Sequence, residues 1–142
     1  MDIRWQQRFS NFRKALAKLQ AVAVDENIDD LSELEKEGMI QRFEYTFELA
    51  WKTLQDLLQY KGYTDIAGPN PVLEQALKDG YIKDEQAWRR MKKSRELTSH
   101  TYNSETADEI AENIVISYYA LLKNLEQRLL EEQNGQQQSI FS

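Results

Sequence analysis

IQRFEYTFELAWKTLQDLL, residues 40–58, is the stretch that determines the fold class of this chain. Its large apolar residues alternate with polar or small ones, as in a half-buried strand: Phe43, Tyr45, Phe47, Leu49 and Trp51. We nevertheless predict a helix, because Glu, Ala, Lys, Gln and Leu dominate the stretch and no turn residue interrupts it. The apolar residues on either side of the alternating run also continue at helical spacing.

At about 100° per residue, one stripe of this helix is continuously apolar. The stripe contains Ile40, Phe43, Phe47, Ala50, Leu54 and Leu58. Tyr45, Leu49 and Tyr60 fall on nearly the opposite side. A helix that is apolar on two sides must bury both, so the second side packs against a further helix of this chain or against a second copy of it.

Upstream of this helix, Ser32-Glu33-Leu34-Glu35 has the pattern of a capping box and predicts where the helix begins. A first helix is predicted from Asp2 to Ala23, before an acidic linker at 25–30. Its seam repeats every three or four residues: Trp5, Phe9, Phe12, Leu16 and Leu19.

Downstream, a short helix is predicted to begin at Asn70-Pro71, with Asn70 as its cap, and to end at Gly80. A second short helix is capped by Asp84 and breaks near 97–103.

The last helix is predicted to begin at a second capping box, residues 106–109, and to end near Glu132. Its inward positions follow the helical period: Ile110, Ile114, Tyr118, Leu121, Leu125 and Leu129.

These elements predict an all-α fold, an antiparallel up-and-down helical bundle with three long helices and two short ones. A single domain is expected over residues 1–133, followed by a flexible polar tail at 134–142. The two-sided apolar helix, with the abundant aromatic residues, leads us to expect a homodimer.

The composition narrows the classes of function. The 142 residues include no cysteine, which excludes disulfides, thiol nucleophiles and thiolate metal sites. No signal-like N-terminus and no run of about 18 apolar residues is present, so we expect a soluble cytoplasmic protein without membrane contact. The net charge of −6 argues against a broad phosphate-binding surface. Any contact with nucleic acid must therefore use a local basic patch.

Such a patch lies at the end of the fourth predicted helix, which carries Arg89, Arg90, Lys92, Lys93 and Arg95. His100, the single histidine, follows shortly after it. A five-residue offset turns about 140° on a helix, so Arg95 and His100 converge only if the helix ends between them. The free N–H groups of the following helix would favour a bound phosphate and a neutral imidazole at His100.

From this arrangement Arg95 and His100 are the candidate catalytic residues. Arg95 would donate two hydrogen bonds to phosphate oxygens, and His100 would act as a general base. The candidate phosphate-binding residues are Arg89, Lys92, Lys93, Thr98 and Ser99. The alternative is that the basic run is a solvated helix C-terminus, where cations are stabilised in any case.

Glu44 and Glu48 lie one helical turn apart. Paired carboxylates can bind a metal, but no His or Cys stands near them, and an ion-pair network that stabilises the bundle is the favoured interpretation. No Gly-rich phosphate loop occurs. We predict neither a metal site nor a cofactor.

Two stretches together resemble a known family. Residues 42–54 are similar to the signature helix of the nucleotidyltransferase substrate-binding proteins. Trp88, Met91 and residues 95–102 are similar to their second signature, the Arg-x4-His-x-Tyr motif of HepT proteins in the HEPN superfamily. The resemblance extends roughly from Trp5 to Leu130.

The resemblance implies an up-and-down helical bundle close to the helical domain of kanamycin nucleotidyltransferase, and a homodimer. It also implies a small MntA-type nucleotidyltransferase, encoded nearby, as a partner. In HepT toxins the motif residues of two protomers form a metal-independent ribonuclease site, and the partner silences it by transferring AMP to the motif tyrosine. Carried over to this chain, Arg95 and His100 are catalytic and Tyr102 is the AMP acceptor.

Two functions therefore remain open. The first is an endoribonuclease toxin of a HepT/MntA toxin–antitoxin pair, acting on RNA. The second is a non-catalytic substrate-binding subunit of a two-component nucleotidyltransferase. Glu96 stands where many family members have Asn, and a carboxylate there could pair with Arg95 and repel RNA phosphate. This departure weakens the expectation of ribonuclease activity more than the expectation of partner binding.

Overall fold

The computed structural model describes residues 3–23, 27–99 and 103–141, and of residues 137–141 the backbone alone. In chain order the elements are α1 (Arg4–Ala23), a 3₁₀ turn (Ile28–Asp30), α2 (Glu33–Tyr60), α3 (Pro69–Lys78), α4 (Glu85–Thr98), α5 (Ser104–Asn113), a π-helical turn (Ile114–Tyr118) and α6 (Tyr119–Phe141). The last three run on without a break as one long helix. All regular structure within the described ranges is helical, which confirms the all-α class with three long helices and two short ones.

Side-chain contacts between α1 and α2 show that these helices are antiparallel. Arg8, near the start of α1, is 2.8 Å from Asp56, near the end of α2. Arg42, in the first half of α2, donates a 2.8 Å hydrogen bond to the carbonyl of Lys18, near the end of α1. Early residues of one helix therefore meet late residues of the other.

Two further helix pairs run antiparallel by the same criterion. The contacts are Gln6 with Gln136 and Arg13 with Glu126 for α1 and α6, and Phe47 with Trp88 and Glu44 with Arg95 for α2 and α4. The elements α1, α2, α4 and α5–α6 therefore alternate in direction in that order, which confirms the up-and-down bundle. The short α3 packs against α2.

The central helix is α2, and the strand-like alternation in its sequence does not produce a strand. Its predicted stripe is fully buried, with Phe43, Ala50 and Leu54 among the residues of zero exposure. The predicted seam of α1 is buried as well. Both periodicities therefore identified the core correctly.

Helix starts were predicted with mixed success. The capping box at Ser32 is present, and the Asp84 side chain accepts a hydrogen bond from the Ala87 N–H. The prediction of Asn70 as a cap is wrong, because Pro69 takes the first helical position and Gly68 is the cap. Gly68 has a φ of +87°, which favours glycine.

The second capping box predicted at residues 106–109 is also wrong. The cap is Asn103, whose side chain accepts a 2.8 Å hydrogen bond from the Thr106 N–H. Asn is among the strongest N-cap residues, and its backbone is extended here. The helix consequently starts at Ser104, and the Thr106 pattern lies inside it.

The π-helical turn changes the register of the last long helix. Tyr118 stacks on Phe43 at 5.4 Å, and its hydroxyl is 2.7 Å from the buried hydroxyl of Ser94 on α4. Burial raises the pKa of the Tyr118 phenol. Because the turn is wider, Leu122 is fully buried, whereas Leu121, the residue predicted from regular spacing, is only partly buried.

The last helix is longer than predicted, since α6 continues to Phe141 instead of ending near Glu132. Four of the nine added residues, 133–141, are glutamine, which favours helix. The Gln136 side chain also accepts a 3.4 Å hydrogen bond from the Gln6 amide of α1. Within the described residues, none of the helices combines the length and the apolar character needed to cross a bilayer.

Candidate functional site

The site is organised around Arg95, in the last turn of α4. Its Nη1 is 3.6 Å from a carboxylate oxygen of Glu44, and its Nε is 3.3 Å from one of Glu48, both on α2. The spacing of Glu44 and Glu48 places them on one face of α2, one turn apart. The structure therefore brings the two stretches that carry the family resemblance into direct contact.

Glu48 is itself held by its own helix. The indole Nε1 of Trp51 donates a 3.2 Å hydrogen bond to Glu48, and Lys52 is 4.0 Å away from it. The ammonium of Lys52 also lies over the Trp51 ring, 5.7 Å from its centroid. These contacts fix the direction of the Glu48 carboxylate and, through it, the side chain of Arg95.

The Arg95 side chain is 23 % exposed, so one part of it is reachable from solvent. Its buried Nε–H makes no hydrogen bond in the part of the chain that the structure describes, although Glu48 is within ion-pair distance. Nη1 also donates a long 3.4 Å hydrogen bond to Thr98. The guanidinium is held mainly by charge, and an anion of better geometry can compete for it.

Two other cations of α4 have exposed acidic partners on the same helix. Arg89 is 2.7 Å from Glu85, and Lys92 pairs with Glu96. The expectation that Glu96 pairs with Arg95 is therefore wrong, because Glu96 lies one turn from Lys92 at the favourable i,i+4 spacing. Lys93 is exposed.

Thr98 and Ser99 close the end of α4. The Thr98 hydroxyl donates to the carbonyl of Arg95 at 2.7 Å, and the Ser99 hydroxyl donates to the carbonyl of Glu96 at 2.8 Å. Both hydroxyl protons are engaged at the helix terminus. The helix ends at Thr98, which confirms the predicted break between Arg95 and His100.

His100 and Tyr102, the candidate base and the candidate AMP acceptor, lie outside the described residues, as does Thr101. The chain leaves α4 at Ser99 and enters α5 through the cap residue Asn103. The roles assigned to His100 and Tyr102 remain predictions.

Sequence reasoning did not identify Glu44 and Glu48 as the partners of Arg95. It favoured an ion-pair network for them, which the structure bears out, but it named no partner. The available signal was that both acids lie inside the first family signature while Arg95 opens the second. Among the described residues, no group of three or more acidic or His side chains is placed to hold a metal ion.

Residues 7–131 match the family described as nucleotidyltransferase substrate binding protein like. This match covers most of the chain, so the protein belongs to that family, and the sequence resemblance is confirmed.

Individual relatives agree with this assignment. The chain is 35 % identical over 98 residues to a Haemophilus influenzae protein named probable ribonuclease HepT, a match covering 64 % of this chain and 67 % of that protein. A crystal structure of a Thermus thermophilus protein superposes with a TM-score of 0.74 at 38 % identity, covering 83 % of this chain and 98 % of the other.

A second solved structure, HI0074 from Haemophilus influenzae, has a TM-score of 0.63 and 26 % identity, and the match covers 88 % of this chain and 96 % of that one. That structure is described as revealing the fold of a substrate binding domain of a nucleotidyltransferase.

Proposed function

We propose that this chain is the HepT-like toxin of a HepT/MntA toxin–antitoxin pair, a metal-independent endoribonuclease acting in the cytoplasm. The observation that carries the proposal is the attachment of Arg95 to Glu44 and Glu48, which fixes the first residue of the Arg-x4-His-x-Tyr motif at the end of α4. The Haemophilus influenzae relative named probable ribonuclease HepT supports the same activity.

The proposed reaction is an internal transesterification of RNA. His100 takes the proton of a 2′-hydroxyl, whose oxygen attacks the adjacent phosphorus. The bond to the 5′-oxygen of the next nucleotide breaks, and that oxygen leaves with a proton from water. Arg95 stabilises the negative charge that develops on the phosphoryl oxygens. The products are a 2′,3′-cyclic phosphate and a free 5′-hydroxyl.

The proposed regulation uses the phenol of Tyr102. A partner nucleotidyltransferase brings ATP, the phenol oxygen bonds to the α-phosphorus, and pyrophosphate leaves while the phenol proton passes to solvent. The attached AMP places an anionic phosphate beside Arg95, where it competes with RNA. Switching off then needs no change of fold.

The activity is tested by expressing the chain alone and with the neighbouring nucleotidyltransferase, then following growth and RNA integrity. His100→Ala and Arg95→Ala should each abolish cleavage and toxicity, with activity in the parent chain insensitive to EDTA. For Arg95→Ala the lost stabilisation of the transition state is about 3 kcal/mol. Full activity in both variants would exclude the proposed site.

The regulatory step is tested by intact mass after coexpression with the partner. An added AMP that is absent in Tyr102→Phe supports the assignment. An AMP mapped to Tyr45 or Tyr118 would contradict it.

A second function, the non-catalytic substrate-binding subunit of a two-component nucleotidyltransferase, is favoured by the likeness to HI0074. It is also favoured by the carboxylates on Arg95, which oppose the binding of a phosphate there. Absence of RNA cleavage together with a stable complex with the nucleotidyltransferase would select this function.

A further inference from the structure

A small cavity opens between α3 and α4, with a volume of about 260 Å³. Trp88 and Lys92, which line it, precede Arg95 by seven and three residues on α4. These spacings place all three residues on one stripe of the helix. At 1.5 Å per residue, Arg95 lies about 5 Å along the helix axis from Lys92 and about 10 Å from Trp88. The cavity and the Arg95 site are therefore neighbouring parts of one surface.

The walls of this cavity divide into an apolar floor and a polar rim. The floor is formed by Leu73 and Trp88, which are 6 % and 2 % exposed, and by the half-buried Leu77. The rim carries the amide of Asn70, the cationic groups of Arg89 and Lys92, and the carboxylates of Glu74 and Glu85. The rim ion pairs Arg89–Glu85 and Lys92–Glu96 involve exposed acids. Exposed pairs of this kind are worth little, so a phosphate can replace the acid at small cost.

We propose that this cavity is a nucleobase subsite for the RNA nucleotide next to the phosphate bound at Arg95. This inference rests on the proposed ribonuclease function and extends it to substrate binding. A base has two apolar faces and an edge of hydrogen-bond donors and acceptors, which suit the floor and the rim. The separation of the cavity from Arg95 is that of adjacent units in an extended strand. An aliphatic side chain of a protein partner would match the floor but make no use of the polar groups of the rim.

The test compares two small ligands on the full-length chain: AMP and ribose 5-phosphate, which share the sugar and the phosphate and differ by the base. AMP should bind about tenfold more tightly. Nuclear Overhauser effects from the adenine protons should reach the methyl groups of Leu77. Leu77→Ala should reduce the AMP preference about fourfold. Leu121→Ala is the matched control, since Leu121 is also half-buried but lines the cavity between Tyr81 and α6.

RNA cleavage by the same samples separates this inference from the proposed function. Leu77→Ala should raise KM for a short RNA about fourfold and leave kcat unchanged. Cleavage by the parent chain without any AMP preference would overturn the subsite and leave the ribonuclease intact. An AMP preference located at Leu77 without RNA cleavage would keep the base pocket and overturn the ribonuclease. Loss of nucleotidyltransferase binding in Leu77→Ala, with the AMP preference unchanged, would assign the cavity to the protein partner and overturn the proposal.

Discussion

Arg95 lies between two carboxylates, so any anion that binds there must compete with them. The contacts to Glu44 and Glu48 are 3.6 and 3.3 Å long, and all three side chains are partly exposed. Charges separated by such distances near a surface interact by one to a few kcal/mol. The two acids therefore orient the guanidinium and at the same time lower its affinity for phosphate.

Glu48→Gln should raise the affinity of the chain for a non-cleavable oligonucleotide about fivefold, because one competing charge is removed while the shape is kept. Glu37→Gln is the matched control: it makes the same change on α2, eleven residues earlier, at an exposed position. Titrations at two salt concentrations measure the effect, which should shrink as salt rises. Equal affinities for the parent chain and Glu48→Gln would show that the carboxylate does not compete for Arg95.

The start of α5 shows how one side chain sets the length of a helix. Asn103 accepts a hydrogen bond from the Thr106 N–H and adds a turn before the pattern that the sequence suggested as the cap. That added turn shortens the segment of chain between the end of α4 and the start of α5, which carries the second half of the motif. Lys36 of α2 also contacts Asp108, in the following turn of α5, at 2.8 Å.

Asn103→Ala should lower the free energy of unfolding by about 1 kcal/mol, because a helix cap is lost. Thr106→Ala, at the position that the sequence suggested as the cap, should have less than half of this effect. Urea unfolding of both variants with unchanged m-values provides the measurement. A larger loss of unfolding free energy for Thr106→Ala than for Asn103→Ala would show that Thr106 is the cap.

The far end of the bundle is joined by a cluster that links three parts of the chain. Lys61 at the end of α2 is 2.5 Å from Glu132 of α6. Arg128 lies 3.5 Å from the same carboxylate and 4.7 Å from the ring centroid of Tyr81, which follows α3. Burial disfavours the charged form of Glu132, but the hydrogen bond from Lys61 and the two positive charges outweigh it, so the pKa of Glu132 lies below its ordinary value.

A lowered carboxyl pKa stabilises the fold above the ordinary Glu pKa of about 4.3, and this stabilisation is lost as the pH falls through the lowered value. Glu132→Gln should therefore be less stable than the parent chain at pH 7 by about 1 kcal/mol. The free energies of unfolding of the parent chain and of Glu132→Gln should become equal at the acid end of the range. Unfolding free energies measured from pH 7 to pH 2 test this, with Glu131→Gln, an exposed neighbour, as control. A difference that does not change with pH would exclude the ionic origin.

The proposed homodimer follows from the second apolar side of α2. Tyr45 on that side is 61 % exposed, and Leu49, one turn later, is partly buried. Light scattering should give about twice the chain mass of 16.7 kDa. Tyr45→Glu should give monomers, because it places a charge in the interface. Leu34→Glu, which also changes an exposed apolar residue of α2 but lies near its beginning, should remain dimeric. A monomer mass for the parent chain would refute the dimer.

The apolar periodicities of α1 and α2 were sufficient to predict the helical class and the buried stripes of these two helices. These features depend on residues a few positions apart on one helix, and such spacings are readable from sequence. The family resemblance was likewise carried by two local stretches, residues 42–54 and 88–102. Competing local signals explain the errors at helix starts, because several residues near each start can act as the cap.

The partners of Arg95 could not be obtained in this way. Glu44 and Glu48 lie about fifty positions earlier, and only the antiparallel packing of α4 on α2 brings them within 3.6 Å. The Lys92–Glu96 pair is different, because it joins residues one turn apart on α4 and its spacing is readable from the sequence. The π-helical turn places Leu122 in the core where regular spacing predicted Leu121. This turn also depends on tertiary packing, because Tyr118 fits against α2 and α4. Spacing along the chain fixes which face a side chain occupies, whereas the charge it meets there depends on which helices pack together.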